Sequence, residues 1–341
     1  FISKFIFISP YKFLIFKLLL LFIFKIKFKI FSIFLYLNLF FILKFKGNCD
    51  NIKGEIMLSF VKTQALGNDF ILLERQWIKN YDIVQLAPAL CHRNFGIGSD
   101  GILIVDQEAG LYKMTMLNPD GSVAMCGNGL RSFVLYLYEH GLVKEKEFDV
   151  KSEAGAPINH VKVHTDSSNK VLFIEASMGE PILERAKIPF AKKGVEPALA
   201  EPIQVGDRVF EVALVSMGNP HAVIFVPDIN AIDVAYWGPQ IEKHPLFPQK
   251  TNVEFVQVVD KNNLIMRVWE RGAGITLACG TGTTASVVAS VLKGYTQSRV
   301  KVHLLGGILE IEYEKGKEAY QFGPAQEVFH GQIDPLKIKL P

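Results

Sequence analysis

Cys126 and Cys279 each open the same short phrase, Cys126-Gly127-Asn128-Gly129 and Cys279-Gly280-Thr281-Gly282. A run that reads as a helix follows each: Leu130-Arg131-Ser132-Phe133-Val134-Leu135-Tyr136 and Thr283-Thr284-Ala285-Ser286-Val287-Val288. A cysteine just before a helix lies beside unpaired backbone N–H groups and the positive end of the helix dipole. That position stabilises thiolate and binds anions such as carboxylate. One such motif is a weak hint; two suggest a pair of thiols facing one anionic substrate from opposite sides. Removing an α-proton on one face and returning one on the other inverts the centre, and needs a base and an acid that exchange roles. A thiolate/thiol pair supplies both, since the unperturbed thiol pKa of ~8.5 is close to working pH. Charge developing on the substrate carboxylate must meet preorganised donors. The N–H groups at Gly127-Asn128 and Gly280-Thr281 are placed for this, and the glycines let backbone approach without a Cβ in the way.

The pairing extends beyond the cysteines. Gly67-Asn68-Asp69 is echoed 151 residues later by Gly218-Asn219-Pro220, and Cys279 follows Cys126 by 153. Asn118, eight residues before Cys126, is matched by Glu270-Arg271, nine and eight residues before Cys279. Near-constant offsets point to a duplicated unit of about 150 residues, an ordinary domain size. A cleft between two such domains would let each contribute one thiol.

These motifs need elements to hold them. Leu58–Thr63 and Asp69–Leu73 read as strands around the turn Leu66-Gly67-Asn68, Ile83–His92 as an amphipathic helix, and Ile102–Asp106 and Tyr112–Leu117 as strands. Asn118-Pro119-Asp120-Gly121 is a turn by residue type. The helix after Cys126 is expected to end near Gly141, and strands are expected at Phe148–Ser152 and Val171–Met178. In the second half, Arg208–Ser216 and Ala222–Val226 flank a turn, Ile241–His244 lies in a helix, and Val253–Val259 and Leu264–Trp269 are strands. Val300–Leu304 and Gly307–Tyr313 close with a hairpin. Strand-rich halves, each with one main buried helix, predict an α+β fold with largely antiparallel sheets.

A formal charge of +3 over 341 residues gives no electrostatic case for nucleic acid. Four cysteines in this length make no disulfide framework, and no C-x-x-C or histidine-spaced cluster predicts zinc. Free thiols, a reducing cytoplasm and no metal are expected. Residues 1–56 differ in kind: 47 of them are Phe, Ile, Leu, Lys, Asn or Tyr, with no acid before Asp50. The longest lysine-free stretch, Ile30–Leu43, has fourteen residues, short of the roughly 18–20 that a spanning helix needs. No small-residue cleavage site closes the apolar region. The composition reads best as translated upstream DNA, ahead of a membrane anchor or a targeting segment, with the folded protein beginning at Met57.

Six ordered motifs resemble the diaminopimelate epimerase family. They are Leu66-Gly67-Asn68-Asp69-Phe70, Gly96-Ile97-Gly98-Ser99-Asp100-Gly101, Asn118-Pro119-Asp120-Gly121-Ser122, Met125-Cys126-Gly127-Asn128-Gly129, Gly218-Asn219-Pro220-His221, and Glu270-Arg271-Gly272-Ala273-Gly274 with Ala278-Cys279-Gly280-Thr281-Gly282. The resemblance covers residue 57 to about residue 330 and implies a cofactor-independent, PLP-independent two-cysteine epimerase that interconverts LL- and meso-2,6-diaminopimelate. It implies two pseudo-symmetric domains, each a curled, mostly antiparallel sheet around a central helix. Their expected bounds are 57–174 and 175–325, with the tail 326–341 packing back on the first. Carried over by motif, Cys126 and Cys279 are the acid/base pair, and Asn68, Asn118, Gly127, Asn128, Asn219, Asn252, Glu270, Arg271, Gly280 and Thr281 contact the substrate. His221 and Glu270 match positions that tune the thiols. The resemblance also implies lysine and peptidoglycan synthesis, a cytoplasmic homodimer, and no nucleic-acid or membrane partner for the folded core. Two departures stand out: Ile275 where the family's second loop usually carries an acid, and Gly101 where some members carry a glutamine. The alternatives are a related amino-acid racemase of other or broader specificity and, more remotely, a thiol redox protein.

Overall fold

The structure, a computed structural model, describes residues 57–152, 158–194 and 196–340. The expectations for residues 1–56 lie outside the described residues. The first half runs β1 (Leu58–Ala65), β2 (Asn68–Glu74), α1 (Ile83–Cys91), β3 (Gly101–Glu108), β4 (Leu111–Leu117), β5 (Val123–Ala124), α2 (Gly127–Glu139), β6 (Glu147–Ser152), β7 (Asn159–Thr165) and β8 (Val171–Ser177). After β9 (Glu201–Val205) the order repeats: β10 (Arg208–Ser216), β11 (Pro220–Phe225), α3 (Val234–Glu242), β12 (Asn252–Asp260), β13 (Asn263–Glu270), β14 (Gly274–Ile275), α4 (Gly280–Leu292), β15 (Arg299–Leu304), β16 (Gly307–Tyr313) and β17 (Ala319–Gly323). β18 (Gln326–Ile333) ends the strands.

The pairings repeat as well. β1–β2 is antiparallel, β2–β3 parallel, β3–β4 antiparallel, β4–β6 parallel, and β6–β7 and β7–β8 antiparallel. In the second half β10–β11, β11–β12, β12–β13, β13–β15, β15–β16 and β16–β17 follow the same sequence. Registers coincide too: Phe70 faces Gly101 and His221 faces Asn252, each 151 residues on. The helices α1 and α3 are nine residues each, with N-caps Asp82 and Asp233 and internal prolines Pro88 and Pro239, again 151 apart. Each Asp accepts an N–H two residues into its helix, from Gln85 and Tyr236, satisfying donors a helix start leaves unpaired.

Each sheet wraps a helix buried along most of its length: α2 from Gly127 to Leu137 and α4 from Gly280 to Ser290. Strands covered on both faces carry unbroken apolar runs rather than alternation, which explains Phe70-Ile71-Leu72-Leu73. Phe70 and Leu72 pack on the α2 side with Leu103, Met116 and Phe133, whereas Ile71 and Leu73 pack under α1 with Ala87 and Leu90. The halves exchange their final strands: β8 pairs with β17, and β18 pairs with β1 as β9 does with β10. The expected boundary at 174/175 falls inside β8, where the two sheets join.

Several elements differ from expectation. The second small helix runs Val234–Glu242, so Ile241 is in it and His244 lies beyond its end. The strands β7, β9, β17 and β18 were not foreseen. β7 carries a period-2 signal, with Val161 and Val163 inward, but β18 is mostly exposed and polar and is held by pairing with β1. No helix among the described residues is long and apolar enough to cross a membrane.

Candidate active site

Both cysteines are helix N-caps in extended conformation, Cys126 at α2 and Cys279 at α4. The helix starts meet: a Cβ on Gly280 would stand 3.5 Å from the Asn128 backbone nitrogen. Asn128 donates to the carbonyl of Ala278 at 3.0 Å, fastening one cysteine loop to the other. Gln321 of β17 fills the space beneath, 3.0–3.1 Å from a Cβ on Gly127 and 3.1 Å from one on Gly280. Only glycine fits at these two positions without moving Gln321. Two sets of first-turn N–H groups therefore converge on one region, as an anion site requires.

Around Cys126, the Asn68 side-chain oxygen accepts from the thiol at 3.4 Å and from the Asn128 amide at 3.2 Å. Asn68 is fixed in turn by donating to Asp100 at 2.8 Å. Its place comes from the two-residue turn Leu66-Gly67, where both residues have positive φ, the geometry that matches strand twist in a tight hairpin. The Gly129 N–H donates to the Cys126 sulfur at 3.4 Å. Around Cys279, the Thr281 hydroxyl lies 3.7 Å from the sulfur and the Asn219 amide donates to that hydroxyl at 3.3 Å. His221 is wholly buried, with Nε2 3.0 Å from the Asn219 side-chain oxygen and Nδ1 2.7 Å from Glu254. Glu270 accepts from the Thr276 hydroxyl.

Burial pushes both thiols up. Cys126 rises to about 11, raised also by Glu270 and lowered by the N–H groups of Gly129 and Asn128 and by the Arg131 guanidinium. Cys279 stands well above its ordinary value through burial, then Glu270 and Glu254. Burial also raises the Glu270 carboxyl.

The remaining predicted residues fall into two groups. Asn252 is buried, donating to the Pro220 carbonyl at 3.0 Å and accepting the Arg271 N–H at 2.9 Å, so it places the backbone of Arg271. Arg271 is exposed and spends one donor on the Gln249 carbonyl at 3.2 Å, leaving a planar guanidinium with donors to spare. Asn118 closes its own turn with Ser122 at 3.0 Å. Gly101 is buried, and a Cβ there would stand 2.6 Å from the Leu117 carbonyl oxygen. The position is closed to a glutamine on this backbone. Ile275 is exposed on β14. Sequence reading missed Arg131, Glu254 and Gln321, all wholly buried. It also missed a grouping away from the cysteines, where His140 and His330 each contact one oxygen of Glu327, at 2.8 and 3.0 Å.

The sequence profile of diaminopimelate epimerase matches residues 60–183 and 213–328. The chain belongs to the diaminopimelate epimerase family. The diaminopimelate epimerase of Pelotomaculum thermopropionicum is 47% identical over 279 residues, 81% of this chain and 98% of that protein. The diaminopimelate epimerase of Heliobacterium modesticaldum is 46% identical over 283 residues, covering 81% and 99%. Among solved structures, a hydroxyproline epimerase from Agrobacterium vitis superposes with a TM-score of 0.61 at 12% identity, covering 83% of this chain and 94% of its own. A Bacillus anthracis phenazine biosynthesis protein of the PhzF family gives 0.58 at 13%, covering 81% and 99%. At such identities the structures carry the diaminopimelate epimerase-like fold alone.

Proposed function

We propose that this isomerase interconverts LL- and meso-2,6-diaminopimelate by moving an α-proton between two thiols. The observation that carries the reading is the abutment of two cysteine-capped helix starts in equivalent halves of one chain of this family. The N–H groups that follow the cysteines receive the carboxylate of the reacting centre. The thiolate on one face takes the α-proton and the C–H electron pair spreads into that carboxylate. The thiol on the other face then gives its proton to carbon, so thiol and thiolate have changed places and the charge balances. Asn68, Asn219, Glu270 and Arg271 read the substrate's polar groups, with Arg271 suited to the distal carboxylate. Asn118 completes the set, and Asn252 serves it through the Arg271 backbone that it holds. On the family resemblance alone, we further propose a cytoplasmic homodimer.

Purified protein given LL-diaminopimelate is expected to form the meso isomer, read by chiral chromatography. Equal turnover of proline, hydroxyproline or other mono-amino acids would favour the broader racemase, a reading to which the exposed apolar Ile275 lends support.

A further inference from the structure

The duplication supplies an internal comparison, because equivalent positions lie in matching strand pairings and registers while their side chains differ. Beneath the first thiol the floor is apolar. A Cβ on Gly129 would stand 3.0 Å from Leu103 Cδ2, 3.4 Å from Cys126 Cβ and 3.6 Å from Phe70 Cζ. Beneath the second, a Cβ on the equivalent Gly282 would stand 2.5 Å from Glu254 Oε1 and 3.2 Å from Cys279 Sγ. Glu254 is the equivalent of Leu103, and His221 of Phe70, each 151 residues on and in matching register. A third difference lies within the central helices, where Arg131 of α2 corresponds to Thr284 of α4, 153 residues on.

Both charged residues are conspicuous by their surroundings. Glu254 is wholly buried; Oε1 holds His221, whereas Oε2 has no hydrogen-bond partner. The Arg131 guanidinium is wholly buried with no carboxylate paired to it among the described residues. It donates to Gln321 Oε1 at 2.5 Å, Asn128 Oδ1 at 2.6 Å and the Gly127 carbonyl at 3.4 Å, and its Nε is unpartnered. Gln321 passes the chain of bonds to Thr284 at 3.0 Å, so the cation is lodged where the two helices meet.

We infer that Arg131 and Glu254 break the symmetry of the duplicated site, making Cys126 the thiol that ionises first and Cys279 the one that keeps its proton. This rests on the two-thiol reading above. Neither residue touches the reacting carbon; both are positioning residues that act through the sulfurs. Arg131 is linked to Cys126 through Asn128, whose amide donates to the Asn68 oxygen that also accepts the Cys126 thiol. Glu254 Oε1 and the Cys279 sulfur border the same glycine, Gly282, with His221 behind Glu254. The charged groups acting on Cys126 are Glu270 and Arg131, and on Cys279 Glu270 and Glu254. Glu270 disfavours thiolate at both sulfurs, so the residues particular to each make the difference. A buried cation favours the thiolate near it and a buried carboxylate disfavours one. The substrate centre that presents its hydrogen to Cys126 is therefore served by the free enzyme's more accessible ionised form. The opposite centre is served after the proton has crossed from Cys279 to Cys126.

Timed alkylation of the full-length protein with iodoacetamide from pH 6 to 11, followed by peptide mass spectrometry, reads each thiol separately. Alkylation of Cys126 is expected to rise at lower pH than that of Cys279. Glu254→Gln, and Glu254→Leu with the residue of the equivalent position, are expected to speed Cys279 alkylation at pH 8 by about tenfold without moving the Cys126 profile. Arg131→Gln is expected to shift the Cys126 profile to higher pH, and Arg131→Lys to restore it. Should the Arg131 variants fail to fold, the two Glu254 variants decide. A Cys279 profile unmoved in both folded Glu254 variants overturns the inference, as does Cys279 ionising before Cys126 in the unaltered protein. The assay uses no diaminopimelate. Shifted profiles without epimerisation would refute the function and leave this inference standing; epimerisation with unshifted profiles would do the reverse.

Discussion

At the scale of single residues, the proposed chemistry depends on two sulfurs held above their ordinary pKa by burial. A group whose pKa is raised above the working pH gains its anionic form as pH rises. Epimerisation kcat/KM is therefore expected to climb with pH from 7 toward 9, and a profile falling over that range would contradict the thiolate base. On the proposed mechanism, replacing either sulfur removes one acid/base partner, a loss of roughly 10²–10⁴-fold. Cys126→Ala and Cys279→Ala are each expected to lose epimerisation on that scale, measured by meso-isomer formation. The cysteines were legible in sequence because their meaning lies within four residues: sulfur, glycine, any residue, glycine, then a helix. Arg131 and Glu254 were not legible. Arg131 looked like an ordinary helix residue and Glu254 like an acid in a strand, and only the meeting of distant elements buries Glu254 beside the Cys279 sulfur and Arg131 where the two helix starts meet.

At the scale of elements, a helix start works as an anion site only if backbone can approach it. Gly282→Ala would place a methyl group 2.5 Å from Glu254 Oε1 and 3.2 Å from Cys279 Sγ. This variant is expected to lose activity more than stability, as judged by kcat against the urea midpoint; unchanged kcat would contradict the packing described. The caps of the small helices allow a matched test. Asp82→Ala and Asp233→Ala each remove the acceptor for one helix-start N–H, at a cost of about 1 kcal/mol apiece, measured by urea denaturation. Strand and helix types were largely readable from apolar runs and glycine-bearing turns. What escaped was of two kinds. β18 takes its structure from β1 rather than from its own pattern. The helix over Val234–Glu242 was expected only around Ile241–His244; it starts seven residues earlier, at a cap, Asp233, that the apolar pattern did not mark, and ends before His244.

At the scale of the whole molecule, two sheets that exchange their final strands hold two helix starts face to face. Gln321 lies opposite Ala176 in the β17–β8 pairing and joins Arg131 to Thr284 across the junction. Gln321→Leu would leave a buried guanidinium short of an acceptor. It is expected to cost about 2–4 kcal/mol and to lower kcat, and an unchanged urea midpoint would contradict the bridging role. The duplication was visible in the offsets of 151 and 153 residues. The exchange of strands was not, since nothing local says that residues 319–323 pair with 171–177.

The central claim is that two different groups serve the two faces of the α-carbon. The most direct measurement is the initial rate of deuterium uptake when LL-diaminopimelate is turned over in D₂O. Two thiols predict that the first meso product carries solvent deuterium at the inverted centre while recovered LL substrate stays unlabelled. Deuterium appearing equally in recovered substrate and product from the earliest times would mean that one group serves both faces, and would contradict the account.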